Sequence, residues 1–376
     1  MDLPVFLEMA NAMNSTYIPS FDDVMFNITD IITSDITQKL QIVKFGENFY
    51  AYITPVILIV GLLGNALSLG VFVSKNLRHM AASRYLAVLS SVDICTLVFY
   101  VFGEWLKRGL KVVSPDNHVT FLDSQGVCQI WLFFSYVSRF LSAWLIVCFT
   151  CERFIGVCLP LRRRNLGSLK ETSRVIVSLV VISCLAVVYK PIMSSVRTIR
   201  SRVTCTSKDV YIYESFVLDS IYALLITIVP FIIISTLNVL IIRRILQRNY
   251  LHRKRLITEE SHIRLEFTFI LLTISFVFIA LSLPFLIIWV RQFLYSWLFL
   301  PNHNERSTHS FDYWVGILCI TRTISYLNYC INFFLYFVTG AYFRKELKAL
   351  FFKSYSHYEQ CGKDENRTHQ THQTLL

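Results

Sequence analysis

Among the ionisable residues within or beside stretches that are otherwise apolar are Asp93, Glu104, Arg139, the adjacent pair Glu152-Arg153, and Arg322. A charge inside an apolar run is costly to bury, so it points to ion binding, charge recognition or a switchable ion pair. The bond-making sets are missing: no nucleophile–base pair, zinc-type Cys/His spacing or phosphate-cradling loop can be found, and an enzyme is not expected. Glu152-Arg153 closes a run that begins at Cys128. At ~1.5 Å per helical residue, Cys128 and Arg153 stand ~37 Å apart, more than the ~30 Å of a hydrocarbon core. One helix would thus carry a thiol at an oxidising face and a charge pair at the cytosolic face.

The elements that must position these groups are seven apolar stretches: Tyr50–Ser74, Tyr85–Phe102, Ile130–Val157, Val175–Tyr189, Phe216–Ile242, Phe267–Val290 and Trp314–Val338. Each is long enough, or nearly so, to cross a bilayer. With 54% of residues hydrophobic and 16% charged, the composition is that of a membrane protein rather than a soluble domain. The expected fold is an all-α membrane protein, a seven-transmembrane helix bundle. Residues 49–340 would form it, after an extracellular, mostly disordered tail at 1–48. An amphipathic cytosolic helix at 341–353 and a disordered tail at 354–376 would follow.

Charge orients the bundle. With the N-terminus outside, 22 Lys and Arg fall on the cytosolic side and 12 on the outer side, as the positive-inside rule requires. The second outer loop dissents, with Lys190, Arg197, Arg200, Arg202 and Lys208. The net charge of +11 suits anionic lipid headgroups and a cytosolic protein partner, and no basic soluble domain for nucleic acid is visible. Sequons at Asn14 and Asn27 are glycosylation candidates in the acidic outer tail. Phe343, Leu347, Leu350 and Phe351 share a face of the helix after the seventh stretch, and Cys361 beyond it is an acylation candidate, with a plain free thiol as the alternative.

From Tyr50 to Lys353 these residues resemble the rhodopsin-like G-protein-coupled receptors. Gly64-Asn65, Leu89-Ser90-Ser91-Val92-Asp93, Cys128, Glu152-Arg153-Phe154, Pro160-Leu161, Pro230, Phe278, Pro284, Asn328, Asn332 and Tyr336 carry the resemblance by their joint order. Four features depart from the family. Glu152-Arg153-Phe154 replaces Asp-Arg-Tyr, the fourth stretch has no tryptophan, Leu281-Ser282-Leu283-Pro284 lacks the aromatic toggle, and Phe333 stands where a proline is usual. These replacements, and the run from Asn332 to Leu347, look like invertebrate neuropeptide receptors of the FMRFamide- and myoinhibitory-peptide-like groups.

The resemblance implies a Cys128–Cys205 disulfide pinning the second outer loop. It implies that Ser142, Asn328 and Asn332 converge on Asp93 to form a site for an allosteric sodium ion; a protonated or water-bonded Asp93 that only joins helices is the alternative. Glu152, Arg153, Asn332, Tyr336, Phe278, Pro284 and Pro230 become the coupling and activation set, with a heterotrimeric G protein, arrestin and a receptor kinase as partners. Ser135 stands where amine receptors carry aspartate, and Tyr326 where opsins carry the retinal-binding lysine, so neither ligand is favoured. Glu104, Ser135, Arg139, Arg322 and Tyr326 are ligand-binding candidates. For Arg139 and Arg322, structural pairing (Glu104 with Arg322) and direct ligand contact both stay open. The reading is a multi-pass plasma-membrane receptor with its C-terminus in the cytosol, most consistent with a short neuropeptide ligand. A lipid or small-molecule ligand, or a seven-span transporter or channel, is the alternative.

Overall fold

The computed structural model describes residues 21–114, 119–159, 168–199, 202–251, 259–299 and 308–351. Its helices form the seven-span bundle, with the third span, Val127–Cys158, along its axis. The sharp entry to that span falls at Gly126, whose φ of +88° suits a residue without a side chain. Its amide donates to Gln129 Oε1 at 2.7 Å, satisfying a donor the helix start leaves open.

The first helix is longer than its apolar stretch. It runs from Phe21 to Phe72, 52 residues, through much of the tail expected to be disordered. Tertiary contact explains the extension: Gly46 and Gly316 meet backbone to backbone, and a Cβ on Gly46 would stand 2.3 Å from the Gly316 carbonyl oxygen. Two glycines let the first and seventh helices approach closely above the apolar segments.

The second span also overruns its expected end. It begins with Ala81–Thr96, passes through a π-helical turn at Leu97–Phe102 and continues to Val113, which places Glu104 on helix rather than in a loop. Ser168 caps the fourth span, Leu169–Val187, by accepting the Glu171 amide at 3.2 Å. Tyr189–Met193 extends it by one turn. Beyond it, β1 (Ser194–Ile199) and β2 (Arg202–Ser207) pair antiparallel, Val196 opposite Cys205. This hairpin departs from the all-helical expectation; alternating β-branched residues at Val196, Thr198 and Thr204, Thr206 favour strand.

The fifth span is two helices, Ile212–Ile226 and Ile228–Leu251, broken at Thr227. Pro230 has no amide to give the Ile226 carbonyl, so the ladder fails there. The neighbouring Leu225 carbonyl accepts Trp144 Nε1 of the third span at 3.0 Å instead. The sixth span, Glu259–Phe299, contains Pro284. The seventh is Thr308–Tyr326, a 3₁₀ turn at Leu327–Tyr329, and Asn332–Thr339.

The core lies in the half of the bundle that holds Arg153, where Leu145, Ile146 and Phe149 meet Leu86, Leu271, Ile274 and Tyr336. A smaller cluster of Tyr50, Leu97, Val101 and Tyr326 joins spans one, two and seven. Val177, Val181 and Leu185 of the fourth span and Phe276 of the sixth stay exposed, as lipid-facing residues do. The helix at 341–351 docks rather than only floating on the interface. Phe343 and Leu347 are buried, Phe343 against Phe72, Phe333 and Tyr336, while Phe351 is exposed.

Candidate functional site

A cavity of about 610 Å³ opens among the outer halves of the spans, within the range of small-ligand sites. Arg139 of the third span lies in it. Its guanidinium carbon stands 4.1 Å from the Tyr100 ring centre, 4.6 Å from Tyr136 and 5.3 Å from Tyr222. Arg139 Nε donates to the carbonyl of buried Ser135 at 3.2 Å. Among the described residues, Arg139 has no carboxylate partner. Three ring faces stabilise its charge by cation–π attraction without neutralising it.

Arg322 and Glu104 also line the cavity. Arg322 Nη1 lies 3.5 Å from Glu104 Oε2, and the same oxygen takes Arg108 Nε at 3.0 Å. Ser135 borders the cavity too. Tyr326 does not: it is fully buried, with ring centres 6.3 Å from Tyr50 and 5.4 Å from Tyr100. It faces the first and second spans, so of the ligand-binding candidates it is the one outside the cavity lining.

Two charged lining residues escaped the sequence reading. Lys190, counted as a loop cation, is buried, and its Nζ lies 2.6 Å from Asp219 Oδ2 of the fifth span. Tyr189 Oη donates to Asp219 Oδ1 at 3.0 Å. The usable signal was Asp219 itself, an acid within an apolar span.

The hairpin borders the cavity through Cys205, Thr206 and Ser207. Cys128 and Cys205 are disulfide-bonded, with Cα atoms 5.8 Å apart. The Cys205 amide also donates to Asp123 Oδ1 at 2.8 Å. Most charges of the second outer loop are engaged: Arg197 pairs with Asp209, and Lys208 Nζ donates to the Ile192 carbonyl at 2.7 Å.

Mid-membrane, Asp93 is fully buried. Ser142 Oγ donates to its Oδ1 and Asn332 Nδ2 to its Oδ2, each at 2.7 Å. Asn328 does not join them. Its Nδ2 donates to Ser282 Oγ of the sixth span at 2.9 Å, because the 3₁₀ turn at Leu327–Tyr329 rotates it away from Asn332. The oxygens present at this carboxylate are of the hard type. They are the Asp93 carboxylate and the Ser142 hydroxyl; the Ser90 hydroxyl, three residues before Asp93 in the same helix, is buried with no partner among the described residues.

At the end of the bundle opposite the cavity, Arg153 and Glu152 pair at 2.5 Å, with Arg153 buried and 5.4 Å from the Phe149 ring centre. Tyr336 is buried edge-on against Phe72, at 5.1 Å. Phe278 packs against the core six residues before Pro284. Glu266, at the inner end of the sixth span, accepts the Tyr342 amide at 2.7 Å, and Glu346 accepts Ser74 Oγ and Asn76 Nδ2. Asn14 and Cys361 lie outside the described residues, and Asn27 is described in its backbone alone.

A helical bundle with an outer charged cavity and a paired arginine at its inner mouth has the layout of a signalling receptor. Residues 64–336 match the family model of the 7 transmembrane receptor (rhodopsin family), and the chain belongs to that family. It is 26% identical over 325 residues to purinoceptor 1 of Gallus gallus, covering 83% of this chain and 82% of that one. Identity to purinoceptor 1 of Homo sapiens is 24% over 335 residues, covering 82% and 79%. Purinoceptor 2 of Rattus norvegicus is 27% identical over 313 residues, covering 79% and 76%. These relatives do not carry the likeness to invertebrate neuropeptide receptors. Membership makes the chain a multi-pass plasma-membrane receptor that answers an extracellular ligand through a G protein, and not an enzyme. It sets aside the transporter or channel alternative.

Proposed function

We propose that this receptor binds a short neuropeptide at the outer cavity and activates a heterotrimeric G protein, with its N-terminus outside and its C-terminus in the cytosol. The observation that carries the ligand class is the charge of the cavity wall. Arg139, Lys190 and Arg322 face Glu104 and Asp219, a net of +1. Burying a ligand requires its charges to be matched, and a net of +1 suits a carbonyl-rich or singly acidic peptide end placed at Arg139. A nucleoside triphosphate brings several negative charges and would leave most of them unmatched.

Activation is a population shift, in which peptide must bind the active bundle more tightly than the inactive one. Pro230 and Pro284 supply weak points where spans five and six bend, and parting Arg153 from Glu152 frees a cation for the G-protein groove. Sodium at Asp93 would favour the inactive bundle. Arrestin, a receptor kinase and anionic lipid are the further cytosolic partners. The polar tail at 1–48 carries the glycans, and residues 341–353 rest at the inner interface.

The second reading, a purine nucleotide, is favoured by the names of the purinoceptor relatives. One screen separates the two: a peptide library and a nucleotide panel applied to surface-expressed receptor, read by calcium and cyclic-nucleotide responses. Activation by peptide and not by nucleotide is expected; the reverse would overturn the proposal.

A further inference from the structure

We infer that the cavity is polarised, and that Asp219 receives a cationic group on the ligand, an amine or guanidinium, while Arg139 takes a carbonyl or carboxylate. This deepens the peptide reading and rests on it. The two acids of the cavity are not equivalent. Glu104 is shared by two cations, Arg108 and Arg322, so that corner is positive overall. Asp219 has one cation, Lys190, and the hydroxyls of Tyr189 and Tyr136. Within that pair the base is withdrawn and the acid presented: the Lys190 side chain is 8% exposed and that of Asp219 33%. Lys190 Nζ also lies 4.8 Å from the Tyr136 ring centre, which holds it back from the opening.

Tyr189 and Lys190 each donate to one Asp219 oxygen and the Tyr136 hydroxyl lies beside the carboxylate, which when ionised offers about four acceptor positions. It can therefore take a further donor without releasing Lys190. Three aromatic faces of the wall, Tyr100, Tyr136 and Tyr222, are already occupied by Arg139, and the Phe285 ring centre lies 5.9 Å from the Arg322 guanidinium. The acid with a single cation partner, Asp219, draws a ligand cation to the fifth-span wall. The acceptor end is directed to Arg139 and the positive corner formed with the second and seventh spans. The matching chemistry is a short peptide with a basic side chain or a free amino group at one end and an amide or carboxylate at the other.

The test uses the full-length receptor, an N-acetylated, C-amidated tetrapeptide library sorted into pools, in which a basic side chain is the sole cation, and calcium release through a promiscuous G protein. Pools containing Arg or Lys are compared with pools in which citrulline or norleucine replaces them. Surface level is measured by an epitope tag. Replacing the basic residue is expected to raise the half-maximal concentration roughly ten- to a hundredfold, and Asp219→Asn is expected to abolish that gap. Asp219→Asn leaves Lys190 buried without its acid, so the double variant Asp219→Asn, Lys190→Met is measured beside it and should behave alike. Lys190→Gln, which removes the competing cation, should sharpen the response to basic pools.

Equal potency of basic and uncharged pools, or a gap that persists in both Asp219 variants, overturns the polarised cavity and leaves the peptide reading standing. Silence of every peptide pool at a receptor confirmed on the surface, or activation by nucleotides instead, overturns both.

Discussion

Glu104 of the second span holds Arg322 of the seventh at 3.5 Å while also holding Arg108 at 3.0 Å. The sharing makes the pair asymmetric. Without Arg322, Glu104 keeps a cation; without Glu104, Arg322 is left largely buried with no acid beside it among the described residues. Glu104→Gln should therefore reduce surface expression and the melting temperature more than Arg322→Gln. An unpaired buried charge costs about 3 kcal/mol, whereas the arginine variant should lose about 1 kcal/mol. Tag-based surface measurement and thermal unfolding in detergent check the order. Equal losses, or a worse outcome for Arg322→Gln, would count against the shared arrangement.

The Cys128–Cys205 bridge closes a loop of 77 residues. Loop-closure entropy assigns it about 4.5 kcal/mol. Cys128→Ala and Cys205→Ala should each lower the surface level severely, and the double variant should be no worse than either, because one bond is lost in all three. Additive losses in the double variant would show that the cysteines act separately.

Asp93 yields a prediction that separates two asparagines. If sodium sits at this carboxylate, Asp93→Asn should erase the difference in agonist affinity between sodium and a large organic cation. Asn332→Ala should weaken that difference, since it removes the hydrogen bond to Asp93 Oδ2. Asn328→Ala should leave it intact, because Asn328 is bonded to Ser282. Radioligand binding in the two salts is the measurement. A wild-type receptor indifferent to sodium would remove the site altogether.

How far these features could be read from the residues depends on the physics that fixes each. Apolar length identifies a span without any neighbour, which is why all seven were legible. Asp93 was legible because a carboxylate within such a span stands out, and Cys128 because of its place at a span's outer end. What depended on a partner was hidden. The helix through residues 21–48 lies in polar, acidic sequence and is supported by the Gly46–Gly316 crossing, a contact 270 residues apart in the chain. Asn328 and Asn332 look alike in sequence, and only the 3₁₀ turn between Tyr326 and Cys330 sends them to different partners. Lys190 read as one more loop charge because the fourth span continues past its expected end to Met193, which carries the lysine into the bundle.

At the inner end of the sixth span, Glu266 accepts the amide of Tyr342 at 2.7 Å. The contact falls at the first turn of the helix at 341–351, where unpaired amides and the helix dipole favour a carboxylate. That helix is held in turn to the first inner loop through Glu346, which accepts Ser74 and Asn76. Together the two acids tie the sixth span to the base of the first. Bending at Pro284 to open the inner mouth would have to break the Glu266 contact. A hydrogen bond to a charged acceptor contributes ~1.5–3 kcal/mol, so its loss should shift the closed-to-open ratio by roughly ten- to a hundredfold. Glu266→Ala is therefore expected to raise ligand-independent signalling severalfold at matched surface level, and Glu266→Gln, which keeps an acceptor oxygen without the charge, by less. Glu346→Gln should raise it only weakly, since its partners lie on the loop and not on the moving span. Basal cyclic-nucleotide or calcium output per surface receptor is the readout. Unchanged basal output in Glu266→Ala would show that the contact merely caps a helix and does not restrain opening.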